Sequence, residues 1–148
     1  MAVADDLDRA SDSQWDWVAE QTRAYLASGG TDGHENDGVR KLVLVTTGRS
    51  SGRPRRTCLI YGTSGNDFVV VASKGGSDDD PDWFKNLAAD PRVGVQVGSR
   101  RVTCRARRAT PSERPTLWAQ MVDNFPLYAD YALQTDREIP VVVLSPEG

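Results

Sequence analysis

Four arginines crowd into the stretch Thr47-Gly48-Arg49-Ser50-Ser51-Gly52-Arg53-Pro54-Arg55-Arg56. Glycines let backbone N–H groups approach an anion, serines add hydroxyl donors, and arginines supply forked, permanently charged donors. The spacing is not a phosphate-binding P-loop, because G-x-x-x-x-G-K-[ST] is missing and the loop joins two strands. The stretch reads either as a solvated hairpin or as an anion site, and the arginine density favours the anion site. A second feature is Val71-Ala72-Ser73-Lys74-Gly75-Gly76, where a lysine beside two glycines ends a buried strand. Such an end is either a plain exit to a loop or an edge on which a flat ring can lie against main-chain groups.

Two aromatic segments follow. In Pro81-Asp82-Trp83-Phe84-Lys85-Asn86-Leu87, Trp83 and Leu87 share an inward helical face, and core packing explains Trp83. Asn86 on the same side needs a polar partner to sit there. In Phe125-Pro126-Leu127-Tyr128-Ala129-Asp130-Tyr131, three aromatics recur at i, i+3 and i+6. They form a core stripe or, through the two hydroxyls, the wall of a wet pocket. His34 is the only histidine and lies in an acidic loop, so it reads as a surface residue. No metal set or Ser-His-Asp triad is present in the pattern, which leaves an organic redox cofactor as the remaining catalytic strategy.

Charge is segregated along the 148 residues, whose net value is −3. Residues 1–38 hold nine acids against Arg9 and Arg23, residues 39–110 hold fourteen Lys/Arg against six acids, and residues 111–148 hold two against six. A basic middle inside an acidic chain suggests a localised anion site, since nucleic-acid binders are usually basic over a whole domain. Arg101, Arg105 and Arg107 could track phosphates, but few aromatics interleave with them as base stacking requires. No nucleic-acid partner is therefore expected. Cys58 and Cys104 read as small core residues in a reducing compartment. With no secretory pattern and no apolar run near the roughly 18 residues of a span, a cytoplasmic address is expected. Trp15 and Trp17 leave room for peripheral membrane contact or for covering a pocket.

The elements that position these residues follow from periodicity. Residues 1–10 are expected to be disordered, and residues 11–148 to form one domain. A helix is predicted from Asp12 to Ser28, capped by Ser11 or Ser13 and ended by Gly29-Gly30. Residues 31–38 read as a polar loop. Strands are expected at Lys41–Thr47, Arg56–Gly62, Phe68–Ser73, Arg92–Val97, Val102–Ala109 and Ile139–Leu144. Helices start near Asp80-Pro81 and near Thr110-Pro111, with Pro126 ending the second. The order α-β-β-β-α-β-β-α-β is dominated by hairpins, which favours an antiparallel barrel over a doubly wound sheet.

Five stretches in this order resemble the deazaflavin-dependent nitroreductase family of actinobacteria: LVTTGRSSGRPR, VVVASKGG, PDWFKNLAADPRVGVQV, FPLYADY and TDREIPVVVL. The resemblance implies a mainly β fold with flanking helices, a split β-barrel like that of FMN-binding proteins. It implies coenzyme F420 as hydride carrier and a quinone, nitroaromatic or other conjugated electron acceptor. By that resemblance Arg49, Ser50, Ser51, Arg55 and Arg56 meet the phosphate and polyglutamate tail. Ala72, Ser73 and Lys74 cradle the ring, Thr57, Cys58 and Leu59 line it, and Trp83 and Asn86 close the site. Tyr128, Tyr131 and Ser73 face the substrate, and a tyrosine hydroxyl or water supplies the proton. Better-known members often carry lysine at Ser50 and tyrosine at Phe125. The alternatives are an FMN-dependent split-barrel reductase and a non-catalytic deazaflavin-binding protein. Split barrels commonly pair, so a homodimer is also an expectation.

Overall fold

Apolar residues on both faces of a strand require cover on both sides, and the run after residue 38 has it. In the computed structural model, which describes residues 6–13, 15–30, 35–36 and 39–147, that run forms β2 (Val39–Thr47). Leu42 and Leu44 face a barrel interior with Phe68, Val70, Val93, Val95, Cys104, Ala106, Val142 and Leu144. Val43 and Val45 face outward, under Leu7, Ala10 and Tyr25. The alternation along one strand thus serves two separate clusters.

Among the described residues eight strands build the sheet. Besides β2 they are β1 (Glu35–Asn36), β3 (Pro54–Ile60), β4 (Gly62–Ser64), β5 (Asp67–Val71), β6 (Arg92–Val97), β7 (Arg100–Arg108) and β8 (Val141–Pro146). Their order is β1-β2-β6-β7-β8-β5-β4, with β3 paired to β2, and every strand pair is antiparallel. The antiparallel architecture expected from hairpin order, and the mainly β split-barrel type implied by the resemblance, are what form. Among the described residues four α-helices flank the sheet: α1 (Asp16–Ala27), α2 (Asp82–Ala89), α3 (Arg114–Asn124) and α4 (Leu127–Leu133). Trp83, Phe84 and Leu87 of α2 pack on the interior cluster. Leu117 and Met121 of α3 and Tyr128 of α4 pack on Val69, Val71, Val141 and Val143, on the outer face of β5 and β8.

Several boundaries move for identifiable reasons. Of the segment 1–10 expected to be disordered, the described residues 6–10 pack on the fold, with Leu7 fully buried in the cluster beneath α1. The first helix begins at Asp16, not Asp12, because residues 11 and 12 are bound to β3. At its far end Tyr25 anchors it: its hydroxyl accepts from the Gly98 N–H at 2.7 Å and donates to the Lys41 carbonyl at 3.1 Å. Gly30 lies so close to the Gly98 carbonyl that any side chain there would collide with it. The helix expected at Thr110-Pro111 begins at Arg114, after a reciprocal cap in which Thr110 and Glu113 each accept the other's N–H. Part of the loop expected at 31–38 pairs as β1, while His34 lies outside the described residues.

Candidate functional site

The outer edge of β3 is where the barrel opens. Ser11 N–H donates to the Pro54 carbonyl at 3.0 Å, and Arg56 N–H donates to the Ser11 carbonyl at 2.8 Å. Residues 54 and 56 therefore turn their main-chain groups away from β2. By the two-residue period of a strand, so do Cys58 and Ile60. Among the described strands β3 pairs only with β2, so these N–H and C=O groups stand along an open slot. The slot widens into a cleft of about 1100 Å³. Its walls come from α1, the residue 46–51 loop, β3, the residue 73–77 turn, α2 and α4.

One end of the cleft is cationic. The arginine loop turns tightly: Gly52 N–H donates to the Gly48 carbonyl at 2.8 Å, and Gly52 has φ +70°, a conformation that favours glycine. Asn86 holds the loop from α2. Its Oδ1 accepts from the Arg49 N–H at 3.1 Å and from Arg49 Nη1 at 2.9 Å, and its Nδ2 donates to Thr46 Oγ1 at 3.3 Å. That is the polar partner a buried asparagine required. Arg49 also pairs with Asp82 at 3.2 Å. Arg55 is exposed and lines the cleft, and among the described residues its guanidinium has no partner. Ser50 and Ser51 line the same end, and Ser51 Oγ accepts from the Arg53 N–H.

Arg56 reaches the cleft wall but is already engaged. Its Nε donates to Asp12 Oδ1 at 2.7 Å and its Nη1 to the Leu7 carbonyl at 2.9 Å. Burial pushes the Asp12 carboxyl up, but the bonds from Arg56 and Arg23 outweigh it and hold Asp12 below its usual value. Arg56 is thus a fastening for the N-terminal segment rather than a free anion donor.

The ring-sized middle is assembled from β3 and the turn after β5. Thr57 and Leu59 stand opposite Leu44 and Leu42 and line the cleft from the interior face. Cys58 points the other way, into the cluster with Tyr25 and Val43, where burial pushes its thiol up to about 11. What Cys58 can present to the cleft is its main chain. Ser73, Lys74 and Gly75 line the opposite wall, with Lys74 at φ +47°, unusual for a residue with a side chain. Ala72 does not belong to the lining: it is fully buried, its N–H donates to the Pro140 carbonyl, and its carbonyl accepts from Arg137. The expected contact of Ala72 with a ring is corrected on that ground.

The other end is aromatic. Phe125, Tyr128 and Tyr131 line the cleft with their rings in mutual contact, Phe125 and Tyr128 edge to face at 5.0 Å. Tyr128 is almost wholly buried, and burial raises its hydroxyl well above the ordinary phenol value. That hydroxyl stays protonated and available as a donor at any physiological pH. Trp83 and Asn86 close the cleft from α2, while Trp15, Trp17, Val18 and Gln21 cover it from α1. Among the described residues no group of His, Cys, Asp and Glu is placed to hold a metal.

Sequence reasoning missed three contributors. Lys41 lines the cleft and was detectable as a lone cation on the strand face of Val43 and Val45. Thr46, buried beneath the loop, holds Asn86. Arg137 ties the residue 73–77 turn in place, and no local pattern reveals a partner some sixty residues away.

Comparison with known proteins shows the family. Residues 17–146 match the family model for F420H(2)-dependent quinone reductase. An F420H(2)-dependent quinone reductase of Mycobacterium tuberculosis H37Rv is 39% identical over 126 residues, covering 82% of this chain and 84% of that protein. Among solved structures, an F420-H2 dependent reductase, FDR-A, shares 36% identity at a TM-score of 0.66, over 71% of this chain and 93% of its own. A chain described as a domain-swapped dimer shares 37% identity at a TM-score of 0.69, over 90% and 100%. On fold, motifs and similarity together, the chain belongs to the F420H(2)-dependent quinone reductase family.

Proposed function

We propose that the chain is an F420H2-dependent reductase whose cleft holds coenzyme F420 beside a small conjugated acceptor, a quinone first among them. The observation that carries this reading is one arrangement. Along the free edge of β3, an unneutralised cation at Arg55 stands at one end and a hydroxyl-bearing aromatic wall at the other.

The donor set suits an anionic flat-ringed cofactor. Arg55, Arg49 and the hydroxyls of Ser50 and Ser51 would hold the phosphodiester and the glutamates through charge-assisted bonds. The exposed main chain of Cys58 and Ile60 and the Ser73–Lys74 turn would hold the polar edges of the ring. When bound, reduced deazaflavin supplies a hydride to an acceptor placed against it. Tyr128 and Tyr131 orient that acceptor, and a tyrosine hydroxyl donates the proton to the oxygen that gains charge. Trp15 and Trp17 limit water above the site. The relative described as a domain-swapped dimer supports a homodimer. No described helix is long and apolar enough to cross a membrane, and the exposed Trp15 and Trp17 support at most a peripheral contact.

The test is a fluorescence titration of the purified protein with F420, with FMN as competitor, across a range of salt. F420 should bind more tightly than FMN, and its affinity should fall as salt rises. Equal or tighter FMN binding would reassign the cofactor.

A further inference from the structure

Arg137 is mostly buried, yet it never reaches the cleft lining. Its planar fork meets four acceptors. Nε donates to the Ser77 carbonyl at 2.7 Å, Nη1 to Asp80 Oδ1 at 2.8 Å, and Nη2 to the Ser73 carbonyl at 2.9 Å and the Ala72 carbonyl at 3.3 Å. Two of the four are main-chain carbonyls of the turn that forms one cleft wall, and a third is that of Ala72 just before it. The fourth belongs to Asp80, two residues before α2, the helix whose Asn86 holds the Arg49 loop.

The turn itself is not restful. Lys74 and Gly75 both have positive φ, at 47° and 63°. A residue with a side chain persists in that region only where its surroundings fix it. Gly76 packs directly on the backbone of Tyr131, so the same turn also touches the aromatic wall. One guanidinium therefore sits behind the junction of the turn, α2 and α4.

We propose that Arg137 is a positioning residue for the cofactor cradle. By occupying the carbonyls of Ala72, Ser73 and Ser77 it holds Lys74 in its left-handed conformation and turns Ser73, Lys74 and Gly75 toward the cleft. Guanidinium geometry is required: lysine can answer the Asp80 carboxylate but cannot span three carbonyls with one ammonium. This rests on the reading of the cleft as an F420 site. It adds that the turn is set from behind by a residue that touches neither cofactor nor acceptor.

The experiment compares wild type with Arg137→Gln, Arg137→Lys and Asp80→Asn. The readouts are F420 binding, the KM for F420H2 against that for menadione, and amide exchange at Gly76 and Ser77 in the protein without cofactor. Arg137→Gln should raise the Kd for F420 by about tenfold, the scale of one lost hydrogen bond to the cofactor. It should also raise the KM for F420H2, leave the KM for menadione unchanged and speed exchange at Gly76 and Ser77. Arg137→Lys should resemble Arg137→Gln, and Asp80→Asn should bind nearly as wild type. A purely structural role would lower the active fraction and leave both KM values of the folded remainder alone, which would overturn the proposal. A larger loss in Asp80→Asn than in Arg137→Lys would also overturn it, and this arm holds even if Arg137→Gln fails to fold. Absence of F420 binding by wild type would overturn the cofactor reading and this proposal with it. Normal binding by all three variants overturns the proposal alone.

Discussion

Asn86 accepts both the backbone N–H and the Nη1 of Arg49 through one carbonyl oxygen, at 3.1 and 2.9 Å. A buried amide on α2 thus fixes both the loop and the side chain that the loop presents, while its Nδ2 reaches Thr46 beneath. Asn86→Leu keeps the volume roughly and removes all three bonds. A loss of about 2 kcal/mol in unfolding free energy is expected, since Thr46 and the Arg49 N–H lose a buried partner. Urea denaturation checks the stability, and F420 titration should show weaker binding by the surviving fold.

Arg55 and Arg56 are neighbours with opposite expectations. Arg55 has no partner among the described residues, so Arg55→Ala should leave stability unchanged. It should weaken F420 binding roughly tenfold, the value of one charge-assisted bond, and flatten its salt dependence. Paired titrations at low and high salt decide this.

Arg56→Ala should do the reverse. It releases Asp12 and the Leu7 carbonyl, with a cost of about 1–2 kcal/mol for the partly buried contacts. Limited proteolysis should then cut within residues 6–13 faster than in wild type. An unchanged cleavage pattern would mean that Leu7 burial alone holds the segment.

Stability should respond to pH from both sides. Burial raises the thiols of Cys58 and Cys104 to about 11 and about 12, the Tyr25 hydroxyl to about 12, and the Tyr128 hydroxyl further still. Each folded value lies above the unfolded one, so this contribution is complete below the ordinary thiol value of about 8.5. It is lost as pH rises through the folded values. Asp8, Asp12 and Glu113 have lowered values, Glu113 to about 2 through Arg107 and the Thr110 N–H. Their contribution is present above the carboxylate range and fades as pH falls toward 2. Urea midpoints should decline above roughly pH 8.5 and below roughly pH 4, with a plateau between.

The parts legible in the sequence were those that local chemistry announces. Arg49 to Arg56 advertised a cationic loop by density, and it lies at one end of the cleft; Phe125, Tyr128 and Tyr131 advertised one face by spacing. Hairpin order was enough to expect an antiparallel barrel, and the family resemblance to expect a split one. The misreadings share one cause, which is partners distant in the chain. Nothing near Arg56 says that Asp12 and Leu7 will occupy it. Nothing near Ala72 says that Pro140 and Arg137 will take both of its main-chain groups. Leu7 looked like part of a polar tail because its cavity is built by Tyr25, Val43 and Cys58. Cys58, read by type as a small core residue, is buried as one; the ring-lining role implied by the resemblance can fall only to its backbone, because strand alternation turns its thiol away.

Tyr128→Phe removes the hydroxyl without changing ring packing on Phe125 and Tyr131. Stability should hold and F420 binding should be unchanged, while acceptor reduction slows by a factor on the order of 10²–10⁴ if this hydroxyl is the proton donor. Tyr131→Phe is the control, and a larger loss there would transfer the role to Tyr131.

Hydride delivery from F420H2 to a quinone in this cleft can be followed directly. Purified protein mixed with F420H2 and menadione, followed by the returning absorbance of oxidised deazaflavin, tests it most directly. Saturable oxidation well above the protein-free rate, weakened by Arg55→Ala, is the result expected. A rate no higher than the protein-free background across a panel of quinones would contradict it.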